Sequence, residues 1–572
     1  MVNITIDGIK YKAKEDSTIL EAARANGVDI PSLCYFKDLN EIGACRICVV
    51  QVKGMNRLIS SCNTKIKEGM EVMTQTEAVQ TARKLNVQLI LSQHSCHCPT
   101  CQRNGNCKLQ DIVATLGVQT TPYKENIRQS YWDVSYPLVR DESKCIKCMR
   151  CIQVCEKIQG MKVWDLRNTG RRTRVGVREN KTINDVNCAL CGQCVTHCPV
   201  GALSTRNDID KVWKAIQDPE TITVVQVAPA VRTAWAEQSG LAREKATPGH
   251  MAAALRRIGF DYVFDTDFSA DLTIMEEGSE LLERLSNKKF EGPMFTSCCP
   301  GWVRFMKSEF PDMVHKLSTS KSPQQMFGAV TKGYFADRLK VKPEKICCIS
   351  IMPCLAKKWE CAVEAVNSDA GIRDVDASLT TREFISLLKM ANVDVTALPK
   401  EDFDSPMGIG TGAGIIFGTT GGVMEAAVRT AYYIVMGKNP SVDKFFKLTE
   451  KNVWKEAEFE LKGKKIRIAV ASGLGNARAL VEAIRSGQEY YDFVEIMACP
   501  GGCSGGGGQP IKDGMELAGI RGEYLRKLDK NAKLRFSHEN PEIQALYKEY
   551  MGKPLSKKAE HYLHTDQSKW NL

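Results

Sequence analysis

The chain has 572 residues, more than one hydrophobic core usually organises, so several domains are expected. Its 43% hydrophobic and 25% charged residues are typical of soluble globular protein, and no apolar run is long enough to span a membrane. The net charge of +11 raises the question of nucleic acid, but no binding motif accompanies it, so none is expected as a partner. The first residues lack a signal pattern, which predicts a cytoplasmic protein.

Cysteine is the outlier, with 24 residues grouped at short spacings. In a large chain without a signal pattern, such groups indicate metal ligands rather than disulfides. The sequence predicts a multidomain α+β and α/β fold. The predicted domains are residues 1–78, 79–126, 127–209 and 210–572, the last with a polar, peripheral tail after about residue 540.

The N-terminal segment predicts a small β-rich domain. Apolar residues alternate on both sides of Asp7 and Gly8, which indicates a hairpin. Ser17 or Thr18 can cap the helix ILEAARAN, which Gly27 ends. Four cysteines here have a spacing suited to a 2Fe–2S cluster: Cys34, Cys45, Cys48 and Cys62. Together these features resemble the β-grasp domain of plant-type ferredoxins, although the gap between the first two cysteines is longer.

A second group follows the helical pattern TARKLNVQLILSQH and reads HSCHCPTCQRNGNC. One imidazole and three thiolates can hold a 4Fe–4S cluster, and the neutral imidazole would shift its potential. Cys96 and His97 compete as ligands by position, and zinc is a chemical alternative because it takes the same ligands. The His-x3-Cys-x2-Cys-x5-Cys pattern resembles that of FeFe-hydrogenases and of the large iron–sulfur subunit of respiratory NADH dehydrogenase, and this resemblance favours the set His94, Cys98, Cys101 and Cys107.

Two near-identical C-x2-C-x2-C-x3-C runs come next, which is the pattern of two-cluster bacterial ferredoxins. In that pattern the fourth cysteine of each run binds the other cluster. One 4Fe–4S cluster is thus predicted at Cys145, Cys148, Cys151 and Cys198, and another at Cys155, Cys188, Cys191 and Cys194. Between the runs lies the arginine-rich stretch RNTGRRTRVGVREN, which is either a solvated face or a docking patch for an acidic redox partner.

From about residue 210 the pattern changes to α/β. Strand-like runs such as TITVVQVAP, KICCISIMP, KIRIAVAS and FVEIMACP alternate with helical stretches. Three cysteine motifs follow such runs: TSCCPGW, MPCLAKKWE and ACPGGCSGGGGQP. Ligands gather beyond the carboxyl ends of strands in open α/β sheets, so these motifs are predicted to converge. Cys298 and Cys299 are placed on a strand, where adjacent side chains face opposite sides.

These three motifs resemble the signatures of FeFe-hydrogenases, and the resemblance covers essentially the whole chain, with the layout of the monomeric clostridial enzymes. It implies one 2Fe–2S cluster, three accessory 4Fe–4S clusters with His94 as one ligand, and an H-cluster. The H-cluster is a 4Fe–4S cubane joined through Cys503 to a diiron unit with carbonyl, cyanide and azadithiolate ligands. The implied cubane ligands are Cys299, Cys354, Cys499 and Cys503.

The same resemblance assigns a proton relay and a cavity. Glu277 and Glu280 are three residues apart on one predicted helix face, although without the family they would be interpreted as solvated. A thiol, with a pKa near ~8.5, suits proton exchange with the bridging amine. The implied relay is Cys298, Glu277, Ser318, Glu280 and Arg284. Lys357 would hydrogen-bond a cyanide. The implied cavity residues are Pro229, Ala230, Pro323, Gln324, Met352, Phe417 and Met497.

Four positions depart from the family pattern. Ala230 stands where some relatives have Ser, and Leu355 where well-known relatives have Thr. Pro500 stands where His is common, and Gly505 where Asn is common. Because every cubane ligand and Cys298 remain, the resemblance implies hydrogen chemistry with an altered bias between evolution and uptake.

The sequence therefore predicts reversible reduction of protons to H2 with electrons from a ferredoxin or similar small redox protein. A monomer is expected, with separate maturation proteins inserting the diiron unit. The alternatives are a hydrogenase-like sensor, an iron–sulfur assembly protein and an electron-transfer subunit related to NADH dehydrogenase. Cys298 and the three intact motifs count against these alternatives, and no G-x-G-x-x-G nucleotide fingerprint stands out.

Overall fold

The computed structural model describes residues 1–442 and 447–572, and only the backbone of residue 171. Its first unit contains β1 (Val2–Ile6), β2 (Ile9–Ala13), α1 (Ile19–Ala25), β3 (Val49–Val52), β4 (Ile59–Ser60) and β5 (Met70–Met73). The strands form one sheet in the order β2-β1-β5-β3-β4. The predicted hairpin is confirmed by the antiparallel β1–β2 pair. The predicted helix is also confirmed, and a reciprocal capping box between Thr18 and Glu21 begins it.

The next two units are small. The second consists of α2 (Glu77–Leu91) and α3 (Lys108–Thr115) around the cysteine-rich loop. The third contains β6 (Leu138–Arg140), α4 (Arg150–Gln153), β7 (Trp164–Arg167), β8 (Arg174–Val177), α5 (Gln193–Thr196) and β9 (Leu203–Thr205). Strand β6 pairs with β9, and β7 with β8, both antiparallel. The arginine-rich stretch therefore forms part of a hairpin placed between the two cysteine runs.

The remaining chain is a large α/β unit. Its strands are β10 (Ile222–Val227), β11 (Tyr262–Asp265), β12 (Met294–Phe295), β13 (Ile346–Met352), β14 (Ala377–Thr380), β15 (Thr449–Lys451), β16 (Trp454–Leu461), β17 (Lys464–Ser472) and β18 (Phe493–Met497). They form two sheets rather than one: β11-β10-β13-β14, which is all parallel, and β12-β18-β17-β16-β15, which is mixed. The α/β prediction is confirmed, since all four quoted strand-like runs are strands.

Fourteen helices surround these sheets among the described residues: α6 (Ile209–Gln217), α7 (Pro248–Ile258), α8 (Thr266–Ser286), α9 (Pro300–Glu309), α10 (Pro323–Val330), α11 (Ala336–Leu339), α12 (Ala356–Glu360), α13 (Thr381–Met390), α14 (Gly412–Ile415), α15 (Gly422–Met436), α16 (Leu474–Arg485), α17 (Ala518–Asn531), α18 (Pro541–Leu546) and α19 (Lys557–Leu563). The longest, α8, is buried along much of its length. No helix in residues 1–442 or 447–572 has the length and apolar character that crossing a bilayer requires.

Two predictions about this unit are wrong. Cys298 and Cys299 do not lie on a strand, because β12 ends at Phe295 and Cys299 is the residue that precedes α9. Pro300 occupies the first position of that helix, where its fixed φ angle favours the helical start. The two cysteines therefore lie in the turn that leads into a helix.

The segment after residue 540 is not peripheral. Helices α18 and α19 pack against the rest of the large α/β unit, and their apolar side chains join a core that includes Phe268 and Leu272 of α8. The buried residues contributed by the segment are Ile543, Leu546, Tyr547, Met551, Ala559 and Leu563. Its polar composition hid this role, because only one face of each helix is apolar.

Candidate active site

A cavity with about 610 Å³ of space free of protein atoms lies beyond the ends of β10, β12, β13 and β18. Strand ends from both sheets therefore contribute to one site. All seven predicted cavity residues line it, namely Pro229, Ala230, Pro323, Gln324, Met352, Phe417 and Met497. Thr266, Ala270 and Gly418 also line it, and no local sequence signal marks them.

The predicted cubane cysteines gather on one side of this cavity. Cys299, Cys354 and Cys503 line it, and Cys499 lies close enough to all three for electrostatic coupling. Burial, followed by the neighbouring sulfurs, raises the pKa of the Cys354, Cys499 and Cys503 thiols, and burial alone raises that of Cys299. Four closely grouped sulfurs, with Cys499 buried and the other three half-buried, form a donor set that fits an iron centre, because thiolates are the ligands of iron–sulfur clusters.

Lys357 also lines the cavity, and its ammonium is already partly engaged. The Nζ donates to Glu360 Oε2 at 2.9 Å and to the Cys298 carbonyl oxygen at 3.2 Å. Burial alone would lower the pKa of Lys357, but the Glu360 carboxylate raises it above its ordinary value. Sequence reasoning missed Glu360, although its position three residues after Lys357 on one helix was a usable signal. Ser322 and Gln324 also donate to Glu360, both at 3.0 Å.

The predicted proton relay follows helix α8. Glu277 is fully buried and Glu280 is 7% exposed, so the interpretation of both as solvated helix residues is wrong. Glu280 Oε2 accepts a hydrogen bond from the Ser318 hydroxyl at 2.8 Å, and Oε1 accepts one from Arg284 at 2.6 Å. The Arg284 side chain is partly exposed, so this end of the relay reaches the surface.

Glu277 lies between this outer pair and the cavity. Neither of its carboxylate oxygens has a hydrogen-bond partner of good geometry, although Ser318 is close by. Burial, and then the charge of Glu280, raises the pKa of Glu277 to about 8. Burial, and then the charge of Glu277, raises the pKa of the Cys298 thiol well above its ordinary value. Both groups therefore hold protons near neutral pH, as donors in a relay must.

The cysteines predicted for the 2Fe–2S cluster form one compact group. The Cys34 thiol is within hydrogen-bonding contact of Cys45 and Cys62, and Cys48 is in contact with Cys62. The backbone N–H of Cys45 also donates to Cys34 Sγ at 3.5 Å. The loop and the more distant fourth cysteine thus come together in a set that fits a cluster with four thiolate ligands.

In the third unit the structure brings the two cysteine runs together in a crossed arrangement. Cys198, from the second run, lines one small cavity with three cysteines of the first run: Cys145, Cys148 and Cys151. Cys155, from the first run, lies near three cysteines of the second run, where it raises the pKa of Cys194 together with Cys188 and Cys191. Each group contains four cysteines and fits one cubane.

His94 is better placed as a ligand than His97. The His94 ring is buried, which lowers its pKa, and its Nδ1 lies 3.0 Å from the Lys144 carbonyl oxygen. A neutral ring that donates from Nδ1 leaves Nε2 free for a metal, which is the usual arrangement of ligating histidines. His97 and Cys96 are exposed, and Ser95 contacts the His97 ring.

A glycine run joins the third unit to the cavity. A side chain at Gly507 would meet the Cys191 carbonyl oxygen and Gly192, each 2.5 Å from the added carbon. One at Gly508 would meet the Cys354 backbone nitrogen at 2.8 Å. The backbone around Cys191, a predicted accessory-cluster ligand, therefore lies against the glycine run that follows Cys503, a predicted cubane ligand. Cys499 Sγ also lies 3.5 Å from the Cys191 carbonyl oxygen.

Comparison with known proteins agrees with this geometry. Residues 221–507, half of the chain, match the family described as iron only hydrogenase large subunit, C-terminal domain. The chain belongs to this hydrogenase family. It is therefore an oxidoreductase that acts on H2. Four further matches lie on either side of this region: a 2Fe–2S binding domain over residues 1–77, the iron–sulfur binding region of NADH-ubiquinone oxidoreductase G over 83–122, a 4Fe–4S dicluster domain over 144–202, and an iron hydrogenase small subunit over 516–568.

Individual hydrogenases match over long stretches. The chain is 45% identical to the NADP-reducing hydrogenase subunit HndD of Solidesulfovibrio fructosivorans, over 99% of this chain and 98% of that one. It is 37% identical to iron hydrogenase 1 of Clostridium pasteurianum, over 99% of both chains. The solved structure of apo FeFe-hydrogenase HydA1 from Chlamydomonas reinhardtii superposes with a TM-score of 0.57 at 40% identity, covering 63% of this hydrogenase and 98% of that chain.

Proposed function

We propose that this hydrogenase reversibly reduces protons to H2 at an H-cluster, with Cys298 as the thiol that passes protons into the cavity. The observation that carries the proposal is one cavity lined by Cys298, by Lys357 and by three of the four cubane cysteines. The residues fit the group: sulfur donors lie on one side and a buried ammonium is available for a cyanide. When bound, the diiron unit would supply the iron at which H2 forms or splits and an amine base beside it.

The chain's own residues would move the protons. During H2 formation, the Cys298 thiol would give its proton to the amine base that the diiron unit would supply, and the resulting thiolate would recover a proton from Glu277. Glu277 is refilled from Glu280 through the Ser318 hydroxyl, which lies close to one carboxylate and donates to the other. Glu280 exchanges protons with solvent beside Arg284. H2 oxidation would use the same residues in reverse, and the apolar residues around the cavity keep bulk water away.

The accessory clusters would carry electrons between the surface and the cubane. We propose one 2Fe–2S cluster at Cys34, Cys45, Cys48 and Cys62, and one 4Fe–4S cluster at His94, Cys98, Cys101 and Cys107. Two further 4Fe–4S clusters would occupy the crossed cysteine groups. Electrons would pass to the cubane at Cys299, Cys354, Cys499 and Cys503, where Cys499 lies beside the Cys191 loop.

The first test is H2 evolution from reduced methyl viologen by anaerobic protein reconstituted with iron, sulfide and the synthetic diiron complex. We expect activity in the wild type and a loss of at least ~100-fold in Cys298→Ala, because a proton-transfer group contributes about that much. Cys347→Ala, a thiol on β13 that does not line the cavity, is the matched control and should keep its activity. A fully loaded wild type, with infrared bands of iron-bound carbonyl and cyanide but no turnover, would refute catalysis.

The electron partner has two candidates. One is a ferredoxin or similar small redox protein, expected from the cluster layout. The other is a companion subunit that handles NADP(H), favoured by the 45% identity over the whole chain to a subunit named for NADP reduction. If the chain works with ferredoxin alone, H2 will reduce ferredoxin without other proteins. If it needs a companion, ferredoxin reduction will be slow and NADP+ reduction will appear only when that subunit is added.

The basic β7–β8 hairpin is the proposed docking surface for an acidic redox protein. Trp164 and Val175 line the cavity of the Cys145 group, while Arg172 and Arg178 on the same stretch are exposed. Only the hairpin itself would separate a partner bound there from the cluster proposed at the Cys145 group. Replacing both arginines with Glu should raise the KM for ferredoxin and leave methyl viologen turnover unchanged. Lys462→Glu, an exposed charge on another turn, is the control.

A further inference from the structure

Three donors from the C-terminal segment converge on Glu276, the residue beside the relay's Glu277. The Tyr547 hydroxyl donates to Oε1 at 2.5 Å, and the Leu555 N–H donates to Oε2 at 2.9 Å. His564 Nε2 lies 3.0 Å from Oε2. Glu276 is fully buried, so this segment supplies the partners that a buried carboxylate requires.

His564 connects this carboxylate to the relay. With the Nε2 hydrogen directed at Glu276, the Nδ1 lone pair accepts the hydroxyl hydrogen of Thr319, whose Oγ1 is 2.8 Å away. The Thr319 backbone N–H then donates to both carboxylate oxygens of Glu280, each at 3.1 Å. A continuous set of contacts therefore runs from Glu276 through His564 and Thr319 to Glu280.

The backbone reinforces this link. Ser320 and His564 form an antiparallel bridge, the Lys321 N–H donates to the Leu563 carbonyl oxygen at 2.8 Å, and the Thr565 N–H donates to Thr319 at 2.8 Å. The segment is thus held by a single β-bridge and its neighbouring hydrogen bonds to the chain that follows Ser318. Three residues donate hydrogen bonds to Glu280: Ser318, Thr319 and Arg284. The first two belong to the stretch that this segment holds in place.

We propose, building on the proposed function, that His564 is a positioning residue of the proton relay. Held by Glu276, its imidazole fixes the Thr319 hydroxyl and so keeps the Thr319 N–H and the Ser318 hydroxyl aligned on Glu280. The matched region described as a small subunit, residues 516–568, therefore contributes to the proton path and not only to the core. His564 touches neither substrate nor cofactor, so its effect passes through Thr319.

The test compares two replacements of His564 in the full, cluster-loaded chain. His564→Phe fills the space without a donor or acceptor, whereas the His564→Gln amide can donate to Glu276 and accept from Thr319. We expect His564→Phe to slow H2 evolution by about 10- to 100-fold, because a small misplacement of the groups that contact Glu280 has a cost of this size. His564→Gln should keep most of the wild-type rate. The solvent deuterium isotope effect should rise in His564→Phe only, because proton delivery becomes rate-limiting. His561→Phe, an exposed histidine on the same helix, is the control.

A second readout is independent of turnover. Hydrogen–deuterium exchange at the Thr319 and Ser320 amides should accelerate by at least ~10-fold in His564→Phe and in Thr319→Val, since an unpinned segment opens more often. Combining the two substitutions should add nothing, because both break one contact. The proposal is overturned if His564→Phe and His564→Gln behave alike, or if His564→Phe keeps the wild-type rate, isotope effect and amide exchange. If the loaded wild type lacks activity, the proposed function fails, while the exchange data still decide whether His564 holds Thr319.

Discussion

Glu277→Gln should stabilise the protein while abolishing its proton transfer. The folded chain holds the Glu277 proton up to a pKa of about 8, whereas the unfolded chain releases it above about 4.5. Each pH unit between these values costs about 1.4 kcal/mol of stability, which gives about 3 kcal/mol at pH 7. A neutral Gln of the same shape avoids this cost. It offers no transferable proton, so H2 evolution should fall by at least ~100-fold.

The stability difference between Glu277→Gln and the wild type should depend on pH in a defined direction. The pKa of Glu277 is raised in the folded state, so the residue destabilises the fold only when the unfolded chain loses the proton more readily. This destabilisation is absent below about pH 4.5, increases as pH rises and reaches its full size above about pH 8. Differential scanning fluorimetry under argon, from pH 5 to pH 9, should show the variant gaining Tm over the wild type with increasing pH. The gain should be about 4 °C at pH 7, given the entropy of unfolding of a domain this size.

Glu283→Gln is the matched control, because this residue lies on the same helix but is exposed. Its Tm should follow the wild type at every pH. A second measurement is the infrared band of a protonated carboxylic acid, which should be present in the wild type at pH 7 and missing in Glu277→Gln. A Tm difference that stays constant across the pH range would refute the reasoning, because it would mean that Glu277 titrates as an ordinary carboxyl.

Three further outcomes are expected. Lys357→Met leaves Glu360 as a buried charge without its ammonium partner, so stability should fall by about 3 kcal/mol and the cyanide infrared bands should shift or disappear. Ala230→Ser adds a hydroxyl at the cavity, and Pro500→His adds a polar ring in the loop between Cys499 and Cys503. Protein-film voltammetry of each variant should show a changed bias between H2 evolution and H2 uptake. An unchanged bias in both variants would contradict this expectation. His94→Cys adds a negative ligand, so a redox titration followed by electron paramagnetic resonance should find one 4Fe–4S cluster at lower potential. An unaltered set of potentials would mean that His94 is not a ligand.

Much of the site could be predicted because many of the predicted ligands are close together in the sequence. Cysteines separated by two or three residues are neighbours in any folded chain, so the short ligand runs need no knowledge of tertiary structure. The grouping of Cys299, Cys354, Cys499 and Cys503, which are far apart in sequence, follows instead from the family resemblance. The pairing of Glu277 with Glu280 followed from the period of one helix. Their burial could not be predicted in this way, because it depends on the packing of α8 against α10 and α15, which are distant in sequence.

The errors have physical causes of the same kind. The apolar run before Cys298 and Cys299 favours a strand, but these residues form a loop, and Pro300 signals the start of a helix. The tail was judged by its polar composition, and the helical spacing of Ile543, Leu546 and Met551 was the signal to use. For Thr319 and His564 no local signal exists, since the contact between them joins residues 245 positions apart.

The contact between the glycine run and the Cys191 loop has a consequence for the rate of electron transfer. Electron tunnelling through protein weakens steeply as donor and acceptor separate. At Gly507 the two backbones are so close that an added side-chain carbon would lie 2.5 Å from the Cys191 carbonyl oxygen and from Gly192. If the proposed clusters occupy these loops, a side chain there would push them apart and slow electron transfer in both directions. The absence of side chains at this contact therefore sets the length of the proposed electron path, whatever residues line the cavity.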